Sequence, residues 1–188
     1  MSLKLFKSNM LMYMQNQEGI NSFNDFAKKL TDEYDSVVKM GFQTINNVPI
    51  QRGNKTSMET FVNLACQKAL TVREGNHTFI DDVGNAIKFY WTGAMLMTPN
   101  PPVTPAQFAI SNLSSTKAMV SNPGQWSPIG PTSPIDDSNL FLDMLVAGIQ
   151  SHLPTIEFLY ETISSYPSIP IPIIAPGILE AKGYTIPQ

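Results

Sequence analysis

Apolar residues recur every three or four positions along much of the chain, the spacing that places them on one face of an α-helix. Four stretches with this spacing are predicted to form a helical core: Phe23–Met40, Thr56–Val72, Phe79–Met97 and Ser138–Tyr166. Leu3–Gln15 has a mixed pattern and is either a short helix or an irregular segment. The fold class that follows is mainly α, with a single helical domain.

The stretch Ser138–Tyr166 is the most apolar of the four, and Asp143 is the only charged residue between Ser138 and Ser151. A helix that is apolar nearly all round belongs in a core, an oligomer interface or a membrane. Pro154 interrupts the stretch, so two helices or one kinked helix are predicted. A membrane span needs roughly 18 consecutive apolar residues. The apolar run here is far shorter, so we expect no membrane span.

Polar residues at the starts of the helical stretches predict N-caps. Asn21 or Ser22 precedes the first stretch, Thr56 or Ser57 begins the second, and the run Asp136–Ser138 begins the last. Short polar side chains at these positions accept hydrogen bonds from free backbone N–H groups. The starts of three of the four helical stretches are therefore marked in the sequence.

Two features inside the helices bear on how they pack. An apolar stripe on the second stretch is predicted to face the core: Phe61, Leu64, Ala65, Ala69 and Val72, with Lys68 among them. Gly84 and Gly93 in the third stretch weaken the helix prediction. They would also let another helix approach closely.

Proline divides the chain into two halves. Fourteen of the fifteen prolines lie between Pro99 and Pro187. We therefore predict a proline-rich extended loop over residues 98–137, with a weaker helix over Thr104–Val120, inside a helical domain of residues 21–166. Residues 1–20 form an N-terminal segment or short helix, and residues 167–188 form an extended C-terminal arm. The arm alternates proline with isoleucine, so it is expected to lie on a protein surface, its own or a neighbour's.

The charge content narrows the classes of partner. Charged residues make up 14% of the chain, against about 25% in an average protein, and the net charge is −3. A lightly charged surface suits burial against neighbouring proteins. A small negative net charge disfavours nucleic acid as a partner. The N-terminus lacks the pattern of a signal peptide.

Residues that carry chemistry are sparse. Cys66, His77 and His152 are the only cysteine and histidines, too few for a structural zinc site. Cys66 is predicted to be a buried structural thiol, and Glu157 and Glu161 a solvated polar stripe on a helix face. The segment Gly53–Thr56 lacks the glycines of a phosphate-binding loop. No catalytic residue, metal site or cofactor is therefore predicted.

Interface residues are predicted in three places. Trp91, and Trp126 on its loop, are candidate aromatic anchors, and Asp143 needs a partner if it is buried. In the arm, the candidate contacts are three isoleucines, Ile169, Ile171 and Ile173.

The phrases FIDDVGNAIKFYWTGA, SNPGQWSPIG and FLDMLVAGIQSHL together resemble small structural proteins of tailed-phage particles, with neck and tail components the nearest match. The resemblance covers residues 79–187 and involves no motif with a chemical role. It implies a non-enzymatic virion subunit, assembled in the host cytoplasm, that packs against copies of itself and other virion proteins.

Other functions stay open. A minor capsid or cement protein fits the same features, and a small enzyme would need Asp143, His152 and Glu157 to converge in a pocket. A membrane-active lysis protein using Leu140–Ile149 is the third class.

Overall fold

The structure is a computed structural model, and it describes residues 3–16, 22–41, 50–72, 76–96, 113–130, 137–164 and 172–178. These ranges contain five α-helices: α1 (Leu3–Gln15), α2 (Phe23–Gly41), α3 (Lys55–Val72), α4 (Asn76–Trp91) and α5 (Ser138–His152). Most of the residues whose side chains are described are helical, so the fold is mainly α as predicted.

The ends of the helices agree with the sequence in part. Ser22 caps α2, since its hydroxyl accepts from the Asp25 backbone N–H at 3.2 Å. Asp137 caps α5 and accepts from the N–H of Asn139 at 2.8 Å. The cap of α3 is Asn54 rather than Thr56 or Ser57: its side-chain oxygen accepts from the Ser57 N–H at 3.2 Å. Asparagine is as good a cap as serine, and it precedes the first helical residue here.

Five strands complete the described ranges: β1 (Ile50–Arg52), β2 (Met95–Leu96), β3 (Leu113–Asn122), β4 (Glu157–Ser164) and β5 (Pro172–Ile178). They pair in chain order, β1-β2-β3-β4-β5, and every neighbouring pair is antiparallel. β4 is a central strand that pairs Tyr160 with Ala118 on one side and with Ala175 on the other. Pro172 and Pro176 lie in the edge strand β5, the position in a sheet where proline is tolerated.

Three predicted helical stretches are wrong in part. The stretch Phe79–Met97 is helical only as far as Trp91, and Met95–Leu96 form β2. The stretch Ser138–Tyr166 is helical only as far as His152; a 3₁₀ turn, Leu153–Thr155, follows, and then β4 begins. The weaker helix predicted over Thr104–Val120 is contradicted in its described part, residues 113–120, which belongs to β3. Ladder partners on both sides of β4 decide its conformation, and a short apolar run does not distinguish a strand from a helix by spacing alone.

One continuous core unites the five helices. Its largest fully buried side chains come from all but the last of them: Trp91, Tyr34, Tyr90, Phe6, Leu3, Met10, Leu30, Met58, Ile80 and Ile87. From α5, Leu142, Leu145 and Ile149 join this core. α3 packs on α2 and α4, while α1 packs on α2 and α5.

Two tyrosines and a tryptophan form a hydrogen-bonded cluster inside this core. Trp91 Nε1 donates to Tyr34 Oη at 2.8 Å, and Tyr90 Oη donates to Asp35 Oδ1 at 2.7 Å. The rings of Tyr34 and Tyr90 meet edge to face, with centroids 5.1 Å apart. Asp35 also accepts from Lys39 at 2.9 Å. The cluster fixes α2 against α4 because each buried polar tip has a partner on the other helix.

Substitution of Tyr90 with phenylalanine should destabilise the protein by about 1–3 kcal/mol, because the buried Asp35 carboxylate loses a donor. The matched control is Tyr13→Phe, which deletes the same atom. The Tyr13 hydroxyl is buried with no hydrogen-bond partner among the described residues, so its removal should be neutral or stabilising. Urea unfolding followed by circular dichroism measures both. Equal losses of stability in the two variants would contradict the assignment.

Candidate functional site

Trp126 does not project from its loop to the outside but inserts between two helices of its own chain. A Cβ atom placed at Gly84 of α4 would lie 2.1 Å from the indole, and one at Gly148 of α5 would lie 2.4 Å from it. Both glycines are therefore required for the indole to reach this depth. The prediction that another helix approaches at Gly84 and Gly93 is wrong: a loop side chain approaches Gly84, and no atom of the described residues lies within 4 Å of a Cβ placed at Gly93.

The loop that carries Trp126, residues 122–130, is also held at its start. Gln125 N–H donates to Thr155 Oγ1 at 2.8 Å. Gly124 has a φ of +86°, and a Cβ there would lie 2.7 Å from the same hydroxyl and 2.8 Å from His152 Nε2. Glycine is needed at this position for its backbone conformation and for the close contact.

His152 supplies the buried contact of this loop. The imidazole is 0% exposed, and its Nε2 donates to the Pro123 carbonyl oxygen at 2.8 Å, since a carbonyl can only accept. Its ring centroid lies 5.9 Å from that of Trp126. The pKa of His152 is lowered from its ordinary value of 6.5 to about 4, chiefly by burial; the hydrogen bond to Pro123 acts in the opposite direction, and the charge of Lys88 adds to the lowering. The side chain is therefore neutral at physiological pH.

Trp91, predicted as an interface anchor, is a core residue. It is 0% exposed and bonded to Tyr34, so it has no surface to offer a partner chain. The sequence could not separate the two roles, because an aromatic residue with a polar tip suits both.

Asp143 is exposed, and its partner lies in the same chain. Its Oδ1 accepts from Lys7 Nζ at 2.6 Å, with side chains 57% and 28% exposed respectively. The ion pair joins α5 to α1. Because both groups reach solvent, the pair contributes at most about 1 kcal/mol to stability. Asp143 therefore needs no partner chain to compensate a buried charge.

The three residues of the possible enzyme site are not brought together in one pocket. Asp143 is exposed near the middle of α5, while His152 is buried at its last residue, nine positions later and about 13 Å further along the helix axis. Glu157 is exposed at the start of β4. Glu161 also lies on β4, so the two glutamates are on a strand and not on a helix face. Cys66 is buried as predicted, and burial raises the pKa of its thiol to about 11.

The arm residues are the least defined of the predicted interface. Ile169 and Ile171 lie outside the described residues, and Ile173 lies in β5, paired with Thr162 of β4. The described part of the arm is therefore a strand of the chain's own sheet.

A pocket of about 380 Å³ lies at the start of α3, next to Gly53 and Lys55, with Lys39 on its wall. Both lysines are already paired with carboxylates: Lys39 with Asp35, and Lys55 with Asp32. Asn54 is used to cap the helix. Asn54 and Lys55, which belong to the segment that was compared with a phosphate-binding loop, therefore already have partners within the chain.

The exposed apolar side chains with the clearest grouping lie on α3 and α4. Phe61 and Phe89 stack face to face, with centroids 3.8 Å apart and planes 3° from parallel. They are 37% and 39% exposed, and Leu64, one turn after Phe61, is 50% exposed. We call Phe61, Leu64 and Phe89 the α3 patch. At the end of α3, Leu70 and Val72 are also exposed, by 71% and 55%.

The sequence misassigned the α3 patch. Phe61, Leu64 and Val72 of the predicted stripe are exposed, and Ala65 of that stripe is buried. The other buried residues of α3 are Cys66, which was predicted to be buried, and Met58 and Val62, which were not in the stripe. The sequence did contain a sign that part of this helix is exposed. Its apolar residues lie on two faces, whereas a surface helix in a monomer needs only one apolar face.

Within the described ranges, no group of three or more His, Cys, Asp or Glu side chains is placed to hold a metal ion. None of the helices described is both long enough and apolar enough to cross a membrane.

The described part of the chain thus defines a helical core carrying an antiparallel sheet, with an apolar patch on its surface. Comparison of the chain with protein-family models, curated proteins and solved structures found no match.

Because Trp126 packs against Gly84, the effect of Gly84→Ala on the free energy of unfolding should change sign when Trp126 is removed. Gly84→Ala alone should destabilise by about 1–3 kcal/mol, because the added methyl group overlaps the indole. In a Trp126→Ala background the same change should stabilise by up to about 1 kcal/mol, because the space is vacated and alanine favours the helix. Chemical unfolding of the wild type, the two single variants and the double variant gives the coupling free energy between Gly84 and Trp126. Identical effects of Gly84→Ala in both backgrounds would rule out the contact.

Proposed function

We propose that this chain is a non-enzymatic assembly subunit that packs against copies of itself and other proteins, as part of the neck or tail of a tailed-phage virion. The observation that carries the assembly role is the α3 patch. Two stacked phenylalanines and a half-exposed leucine on adjacent helices form an apolar surface that a partner would cover.

The energetic argument follows from area. Removing apolar surface from water stabilises an association by roughly 25 cal/mol per Å². Apolar patches rimmed by polar residues on a folded surface are characteristic of protein–protein contacts. One turn after Leu64 on the same helix, Lys68 pairs with Asp82 of α4 at 2.9 Å. A partner that covers this ion pair would therefore not bury Lys68 as an unpaired charge.

Low charge density supports the same role. Four other lysines on the described helices have acidic partners: Lys7 with Asp143, Lys29 with Glu33, Lys39 with Asp35, and Lys55 with Asp32. With only 14% charged residues, few remain to keep neighbouring copies apart. The virion location is supported by the sequence resemblance and by the proline-rich second half.

The enzyme alternative has weaker support, because Asp143, His152 and Glu157 differ in burial and position. A cement or minor capsid protein shares the assembly chemistry and differs only in its location within a particle. A lysis protein would act on membranes, and flotation with liposomes would reveal it.

Leu64→Glu should weaken self-association of the purified chain at least tenfold, equivalent to about 1.4 kcal/mol, because a charge would be placed in the apolar contact. The matched control is Met12→Glu on α1. Met12 is 68% exposed, so this variant adds the same charge to a different helix and should associate as the wild type does. Sedimentation velocity over a concentration series measures the association, and circular dichroism checks the folding of each variant.

A wild-type chain that stays monomeric at every concentration, and is absent by mass spectrometry from purified particles of its phage, would overturn the proposal. Its presence in particles with association unaffected by Leu64→Glu would keep the virion role and reject the α3 patch as the self-contact.

A further inference from the structure

His152 lies at the contact between the 122–130 loop and the helical core. Its Nε2 holds the Pro123 carbonyl, its ring lies beside Trp126, and it is the last residue of α5. The loop follows β3 directly, and Trp126 occupies the notch between Gly84 and Gly148. A single buried imidazole therefore lies where the loop, the notch and the end of α5 meet.

We infer that His152 is an acid-sensitive latch: when its imidazole gains a proton, the 122–130 loop opens and Trp126 leaves the notch between α4 and α5, while the helices stay folded. The inference does not depend on the assembly role proposed above.

Hydrogen bonding is the first reason. In the neutral imidazole, Nε2 carries the hydrogen and Nδ1 is an acceptor. His152 Nδ1 is buried and has no hydrogen-bond partner among the described residues. Protonation would turn it into a second donor with no acceptor, next to a Trp126 Nε1 donor that is likewise buried without a partner. A buried donor left unpaired is destabilising, and a charged one more so.

The surrounding charges also disfavour the cation. Lys88 of α4 is the charged side chain whose field lowers the proton affinity of the imidazole. The loop 122–130 and the turn Leu153–Thr155 contain no charged residue. On α5, Asp143 is nine residues away and paired with Lys7, and Glu157 of β4 is exposed. No carboxylate among the described residues is placed to stabilise a protonated His152.

The pH window follows from the direction of the pKa shift. The closed loop holds the pKa of His152 at about 4, and an opened loop would return it towards 6.5. The open state then binds the proton more readily, so the closed state loses stability as the pH falls below about 6.5, and the loss levels off below about 4. The latch is closed at neutral pH and is weakened by acid.

Acrylamide quenching of tryptophan fluorescence tests the latch in the full-length protein, at pH values from 7.5 down to 4. Trp126 should become more accessible with a midpoint between about 4 and 6.5, while the buried Trp91 stays protected and the helical circular dichroism is retained. His152→Gln keeps an amide donor for the Pro123 carbonyl but cannot titrate in this range. It should abolish the transition. His77→Gln removes the only other histidine and should leave the transition unchanged.

A transition that persists in His152→Gln, or that coincides with loss of helical signal and exposure of Trp91, would overturn the latch. If His152→Gln does not fold, the His152 ring resonance of the wild type is titrated by NMR together with the Trp126 indole resonance. Equal midpoints support the latch, and different midpoints refute it.

Discussion

The insertion of Trp126 between Gly84 and Gly148 is the contact on which the arrangement of the second half depends. It brings the segment that follows β3 onto the helical core and packs it against α4 and α5 at once. A methyl group on either helix would occupy the position of the indole. The same segment is held by Thr155 and His152, which follow or end α5. Packing and hydrogen bonding therefore meet at one point, where the helices join the sheet.

The helical core itself depends on hydrogen bonds made by the polar ends of aromatic side chains that are otherwise buried among apolar residues. Tyr34, Tyr90 and Trp91 contribute large buried surfaces, yet each has an atom that must be hydrogen-bonded when water is excluded. Asp35 accepts from Tyr90 and is neutralised by Lys39, so a carboxylate is tolerated near the core. These partners specify which faces of α2 and α4 meet, because an apolar core alone would permit several alignments.

At the surface, charge and apolar area are distributed unevenly. Helices α1, α2 and α3 contain lysines that form ion pairs with acidic residues of the same chain. One of these acidic partners is Asp143, at the surface of α5. The α3 patch remains as an exposed apolar area that the described residues leave uncovered. An exposed apolar surface on a lightly charged protein favours association, and this is the physical basis of the assembly role proposed for this chain.

The sequence by itself determined the positions of most helices, because helical spacing and capping residues are local signals. α2, α3 and the start of α5 lie within two residues of the predicted bounds. Leu3–Gln15 forms the helical one of its two predicted alternatives, and α4 ends six residues before the predicted Met97. The sequence did not determine β3 and β4, since the conformation of a short apolar run is decided by the strands beside it. Nor could it place the tryptophans: both are large and amphipathic, and only the tertiary structure put Trp91 in the core and Trp126 between two glycines. The partner of Asp143 was decided in the same way, because Lys7 lies 136 residues away in the chain and meets it only when α1 packs on α5.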